Sequence, residues 1–290
     1  MRYGTGVALV LAAGVTWSFQ ALAIRQIEDA GAWAILFWRS IGMMPVLLGF
    51  LVWRAGGSPW PAIRRVGLAG VLGGLGLIGA FGGAITALQA TTVANAVFLF
   101  AASPLLAAVL GWIVLGERVA GRTWLAIGIA LLGIFVMVRE GLEAGALAGN
   151  LAALVSALGF AAFTVTLRWR HLDDSLPSVL LGAVFSALAG ALLAAQTGQP
   201  LAVPVPDVLW ALLMGAVTLS GGMILYTMGS RVVPAAELTL LSNTEVMLAP
   251  FWVWLMLGET ASLGTFGGGA IILGAILFNG LSGARRLAGA

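Results

Sequence analysis

The 290-residue chain contains no cysteine and, because all fourteen basic residues are arginine, no lysine. The first absence excludes disulfides, thiolate metal sites and a cysteine nucleophile. The second excludes a GxxxxGK[ST] phosphate loop, so no nucleotide motor is encoded. Charge is scarce too: Asp, Glu, Lys and Arg make up 9% of residues against 61% hydrophobic ones, at a mean hydropathy of +1.06. With so little polar surface to wet, the solvent of this chain is read as lipid. The single histidine, His171, stands beside Asp173 and Asp174 in a loop, too isolated for a metal centre. No nucleophile and base pair falls inside an apolar run, so neither a catalytic residue, a metal nor a cofactor is expected. The sequence pI is near 10.5, but a formal charge of only +3 carried on scattered arginines argues against a nucleic-acid partner. None of the several GxG strings follows a strand in a βαβ setting, which excludes dinucleotide binding.

What is abundant is long apolar runs. Only helices and closed barrels satisfy their backbone groups in lipid, and barrel strands alternate apolar with polar residues. LLAAVLGWIVLG (105–116) is apolar on every side, so the chain is read as an all-α membrane protein. Ten runs of about 20 residues, the length that crosses the hydrocarbon core, lie at 4–24, 33–53, 66–88, 91–115, 121–138, 147–167, 176–196, 208–230, 235–257 and 262–281. With the N-terminus inside, eleven arginines (Arg2, Arg54, Arg64, Arg65, Arg118, Arg122, Arg168, Arg170, Arg231, Arg285 and Arg286) fall on the cytoplasmic side. Arg25 and Arg139 fall outside, and Arg39 lies within a span. This bias predicts both termini in the cytoplasm and a multi-pass protein of the cell's inner membrane. Ala21-Leu22-Ala23 mimics a signal cleavage site, but cleavage there would leave nine spans and destroy the repeat described next.

The chain repeats itself. AVFLFAASPLLAAVLGWIVLGE (96–117) matches LTLLSNTEVMLAPFWVWLMLGE (238–259) at a constant offset of 142, both ending in Leu-Gly-Glu. Gly128 and Gly133 recur nearby as Gly269 and Gly274, and Arg25 at the end of span 1 falls opposite Arg168 at the end of span 6. The unit is thus five helices, residues 1–142 and then 143–290. Five being odd, the second copy enters the membrane inverted, with Glu117 facing the cytoplasm and Glu259 the outside. Two inverted units that exchange roles give a carrier its inward-open and outward-open states. The Pro-bearing stretch 196–207 is expected to be an extended outer connection.

Three segments carry a family resemblance: SPLLAAVLGWIVLGE (103–117), its echo EVMLAPFWVWLMLGE (245–259), and FWRSIGMMP (37–45). Together they resemble the drug/metabolite transporter superfamily, and within it the ten-helix EamA-type carriers that export amino acids and related metabolites. The resemblance implies a cavity between the halves, surrounded by the first four helices of each half with the fifth packed behind. The Trp17-bearing first span is most similar to that of the aromatic amino-acid exporters. One departure is visible: where the family commonly has Glu-Pro, this chain has Glu245-Val246, with Pro250 a turn later.

Arg39 and Glu245 are the ionisable residues well inside expected spans, where charge costs about 2.5 to 3.5 kcal/mol. For Glu245 three readings stand open: a proton carrier, a ligand for a substrate ammonium, or a structural partner of Arg39. For Arg39, pairing or gating stands beside capture of a substrate carboxylate. Thr239, Ser242, Asn243 and Glu245 share one face of span 9, within about 160° of arc. Asn95 occupies the repeat position of Glu237. Trp17, its repeat partner Phe160, Phe163 and Tyr226 are candidate apolar walls. Gly79, which coincides with Gly221 at the repeat offset, is a candidate hinge or cavity wall. Trp33, Trp38, Trp53, Trp60, Trp124, Trp210 and Trp252 suit an interfacial belt. The expected function is secondary export of small neutral metabolites, amino acids first, with protons as a candidate coupling ion and no oligomer required. Export of other compounds such as drugs or nucleotide sugars, and a passive channel, are the alternatives.

Overall fold

A computed structural model of the chain describes residues 1–143, 146–172, 174–233, 238, 241 and 243–287. Helices run at Tyr3–Ile24 (α1), Ala32–Ala55 (α2), Trp60–Ala90 (α3), Val93–Phe100 (α4), Ser103–Leu115 (α5), Gly121–Glu143 (α6), Leu147–Trp169 (α7) and Leu176–Thr197 (α8). They continue with Val205–Leu213 (α9), a π-helical stretch at Met214–Gly221, Gly222–Gly229 (α10), Thr244–Leu257 (α11) and Leu263–Leu287 (α12). No strand occurs among the described residues. Among the described residues, eight crossings are long and apolar enough to span a membrane, counting α4 with α5, and α9 with α10, as one crossing each. The other two expected spans are described in part, over the apolar stretches Thr244–Leu257 and Leu263–Asn279.

Sequence chemistry sets several of the boundaries. Thr92 caps α4 by accepting a bond from the Asn95 backbone N–H at 3.3 Å. Pro104 at the start of α5 has no N–H to return to the preceding turn, and the crossing breaks at Ala101–Ala102. The two Leu-Gly-Glu repeats have one structural meaning. Gly116 and Gly258 both sit in the left-handed region, at φ 67° and 68°, where only glycine is unstrained. Each ends its helix and hands the chain to a glutamate just past the last turn. Two expectations change in detail. α3 begins at Trp60 and bends at Gly67 (φ 50°, ψ −143°). The 196–207 stretch is extended only in part, because Pro206 enters the first turn of α9, a place where its missing N–H costs nothing.

Inside the bundle, backbones touch through small residues. A Cβ added to Gly159 of α7 would stand 2.5 Å from the Ala80 nitrogen of α3, and Ser156 Oγ donates to the Ala80 carbonyl at 2.7 Å. In lipid, where apolar burial supplies little drive between helices, such close packing and interhelical hydrogen bonds hold the bundle. α3 packs on α7 and α8, α1 on α10 and α11, α5 on α7, α2 on α8 and α9, and α6 on α12. Exchanging each helix for its counterpart 142 residues away maps this contact set onto itself: α3–α7 becomes α1–α10, and α5–α7 becomes α1–α11.

Large apolar side chains face outward along the helices: Leu131, Leu132 and Phe135 of α6 and Leu188 and Leu192 of α8 are all exposed. Trp53, Trp60, Trp124 and Trp210 are exposed near helix ends, as belt residues are. Trp38 and Trp252 instead turn into the bundle, donating to the Leu201 carbonyl at 2.9 Å and to Ser18 Oγ at 3.0 Å.

Candidate functional site

A cavity of about 390 Å³ lies within the bundle. Trp17, Gln20 and Ile24 of α1 line it together with Arg39 of α2, Phe81 and Ile85 of α3, and Ser103 and Pro104 at the start of α5. Ser156, Phe160 and Thr164 of α7, Met214 and Leu219 of the π-helical stretch, Met223 and Tyr226 of α10, and Asn243 and Glu245 at the start of α11 complete it. α5 and α11 thus both begin at this space.

The polar atoms are unevenly matched. Arg39 is 2% exposed, and its Nε and Nη2 have no hydrogen-bond partner. Its guanidinium lies 4.7 Å from the centroid of Phe81, a cation–π contact. Its backbone is pinned by Gly215 of the π-helical stretch, where any side chain would overlap the Arg39 carbonyl. Trp17 Nε1 and Asn243 Nδ2 are also buried without a partner. The Trp17 ring packs on Tyr226, centroids 5.6 Å apart, with Gly222 leaving room for the indole. Four buried donor atoms of cavity-lining residues are therefore unpartnered. Glu245 supplies a carboxylate to the same space, and among the described residues no ion pair joins it to Arg39. Since an unpartnered buried polar atom costs about 1 to 3 kcal/mol, these donors favour an occupant that brings acceptors.

Of the sequence candidates, the structure brings Trp17, Arg39, Phe160, Tyr226, Asn243 and Glu245 to one cavity. Thr239 and Ser242 lie outside the described residues. Phe163 is 3% exposed and packs behind Phe160, centroids 5.7 Å apart. Gly79 faces Val155 and Gly159 of α7 at 3.9 and 4.0 Å and does not line the cavity. Asn95 is also elsewhere, bonding Thr91 Oγ1 at 3.1 Å and the buried Asn150 side chain between α4 and α7. Phe81, Ser156 and Ser103 were not anticipated. Nothing in a single sequence distinguishes them from packing residues, although Ser103 is the repeat partner of Glu245.

The chain's charged ends are also built. Arg25, just past α1, donates to Glu259 Oε2 at 2.9 Å, to the Leu88 carbonyl at 2.5 Å and to the Thr91 carbonyl at 2.9 Å, and Glu259 Oε1 accepts the Val93 N–H at 2.6 Å. Nearby, buried Asp207 accepts the backbone N–H groups of Asp29 and Ala30 at 2.9 and 2.8 Å, tying α9 to the α1–α2 connection. At the other end of the bundle, Arg168 donates to Glu117 at 2.9 Å and to the Ala107 carbonyl at 2.8 Å. Arg54 pairs there with Asp174.

The model of the EamA-like transporter family matches this chain twice, at residues 4–139 and 147–281. The chain belongs to the EamA-like transporter family. It is accordingly a transporter, a multi-pass membrane protein and not an enzyme. An uncharacterized transporter from Archaeoglobus fulgidus is 29% identical over 196 residues, which is 67% of this chain and 69% of that protein. The human solute carrier family 35 member G1 is 24% identical over 289 residues, covering 93% of this chain and 77% of the human protein. One solved crystal structure superposes with a TM-score of 0.63 at 20% identity, over 96% of this chain and 97% of its own, a likeness of fold alone.

Proposed function

We propose that this EamA-like transporter is a secondary exporter of small zwitterionic metabolites, amino acids foremost, working by alternating access at the cell's inner membrane with both termini in the cytoplasm. The observation that carries the reading is the unpaired Arg39 and Glu245 in one cavity. A free α-carboxylate offers the acceptors that the Arg39 donors lack, and a free α-ammonium offers Glu245 its counter-charge. Net neutrality of the occupant matches the equal and opposite charges of the two residues. Trp17, Phe81, Phe160 and Tyr226 supply apolar walls, which favours aromatic or large aliphatic side chains. About 390 Å³ lies at the small end of ligand cavities and suits one amino acid.

Two inverted five-helix halves, 1–142 and 143–290, supply the two states. Support comes from the double family match, the contact set that maps onto itself, and the eleven-to-two arginine bias. Glu245 is also placed to carry a proton, since no arginine neutralises it. The test is counterflow in liposomes: trans-loaded amino acids accelerate uptake of a labelled one. Exchange of nucleotide sugars or cationic drugs with none of amino acids would overturn the substrate class. Conductance without counterflow would overturn the carrier.

A further inference from the structure

The ion pairs at the two ends of the bundle occupy equivalent positions in the repeat but are in different states. Glu117 and Glu259 are 142 residues apart, and Arg25 and Arg168 are 143 apart. Arg25–Glu259 joins α1 to the end of α11, and Arg168–Glu117 joins α7 to the end of α5. Each pair joins the two halves, but the first also holds the turn between α3 and α4. Its guanidinium caps the last carbonyls of α3, at Leu88 and Thr91, and its carboxylate caps the first N–H of α4, at Val93. A cation at one helix C-terminus and an anion at the next N-terminus is the polarity that both helix dipoles favour. The second pair holds no such turn: Arg168 bonds only Glu117, just past α5, and the Ala107 carbonyl of α5, both in the other half. Its side chains are 41% and 37% exposed, against 23% and 22% for the first.

We infer that the two pairs are alternating locks: the Arg25 pair closes one end of the cavity in the state seen here, and the Arg168 pair closes the other end in the opposite state. The turn it then holds is the one following α10, where Ser230 and Val233 stand 142 residues after Leu88 and Thr91. A further difference explains how the idle pair is stored. It lies over Gly111 of α5, where a Cβ would overlap Glu117 Oε2 and stand 2.8 Å from Arg168 Nη2. The repeat position of Gly111 is Val253, so the Arg25 pair has no equivalent resting place. The cavity agrees with this assignment. It begins beneath the made lock, at Ile24 and Leu88, and extends to Thr164, one turn from Arg168.

This inference rests on the inverted-repeat carrier reading, and needs no knowledge of substrate. The cysteine-free chain permits a direct test with single cysteines at Ala84, beneath the Arg25 lock, and at Thr164, both lining the cavity. Labelling rates with a membrane-impermeant maleimide are measured from each face of the membrane in oriented vesicles. Glu259→Gln is expected to raise labelling at Ala84→Cys from the Arg25 face by about fivefold, the worth of a partly exposed charged pair. Glu117→Gln is expected to do the reverse, lowering that rate by about fivefold, although its pair holds no turn in the present state. Gly111→Ala evicts the stored pair and should move labelling in the same direction as Glu259→Gln, which a staple that only stabilises the fold would not do. If Glu117→Gln labels as the parent does, or in the direction of Glu259→Gln, the Arg168 pair is a fixed staple and the alternating lock is wrong. If both cysteines of the parent label at full rate from their own faces at once, with no response to any variant, the carrier reading itself fails.

Discussion

Replacing Arg39 with methionine should strengthen the empty protein and disable it, two effects of opposite sign with one cause. Arg39 is 2% exposed with Nε and Nη2 unpartnered, each such atom costing about 1 to 3 kcal/mol. Its one favourable side-chain contact, the Phe81 face at 4.7 Å, returns about 1 to 2 kcal/mol. Methionine keeps a long flexible stem and an aromatic contact through sulfur, so Arg39→Met is expected to gain about 1 to 3 kcal/mol of stability. Thermal unfolding in detergent reads this as a higher melting temperature. Binding moves the other way. Two charge-assisted bonds to a carboxylate, at about 1.5 to 2 kcal/mol each, correspond to a loss of roughly 100- to 1000-fold in amino-acid affinity. Counterflow kinetics read that loss as a raised half-saturation. Were Arg39 a structural residue, the variant would unfold more easily, and transport per folded molecule would be unchanged. That outcome would refute the reasoning.

Three further outcomes follow from other contacts. Gly159→Val places branched carbons where the Cβ alone would meet the Ala80 nitrogen at 2.5 Å and the Gly76 carbonyl at 2.6 Å; a loss of more than about 3 kcal/mol is expected, whereas Gly128→Ala, with open space around it, should be neutral or stabilising by up to about 1 kcal/mol in the same melting assay. Asp207→Ala strands the buried N–H of Ala30 and the partly buried one of Asp29 and should cost about 1 to 3 kcal/mol; hydrogen exchange should show the α1–α2 connection opening first. Glu245→Gln should retain amino-acid counterflow at reduced affinity while losing acceleration by an imposed pH gradient. Unchanged pH-driven transport in that variant would remove the proton role.

The bundle was legible because apolar runs of spanning length leave few alternatives. The chain is EamA-like, as the SPLLAAVLGWIVLGE and EVMLAPFWVWLMLGE segments suggested. Helix ends were less legible: α3 starts six residues before the expected 66 because Pro61 opens a helix that only Gly67 bends. At the cavity, Arg39, Glu245, Trp17, Asn243, Phe160 and Tyr226 were accessible to sequence reasoning because charge, amide or aromatic character inside a span needs a reason. Asn95 looked the same and lies elsewhere, its Nδ2 donating to Asn150 on the neighbouring helix, and no single-chain pattern announces such a partner. Phe81 was missed because its role is geometric, a ring beneath a guanidinium. The Arg25–Glu259 and Arg168–Glu117 pairs lay open in the repeat, where arginine matched arginine and glutamate matched glutamate, but the offset alone did not say that each arginine meets the glutamate of its own pair.

The central claim is that Arg39 and Glu245 remain apart in order to hold the two charges of one small molecule. Competition in the liposome counterflow assay between an amino acid and its truncated analogues tests it most directly. Phenylalanine is compared with phenethylamine, which lacks the carboxylate, and with phenylpropionate, which lacks the amine. The account predicts that phenylalanine competes at least about 100-fold better than either analogue, because each loses one charged contact worth about 3 kcal/mol. Equal competition by phenethylamine or phenylpropionate, or none by phenylalanine, would contradict it.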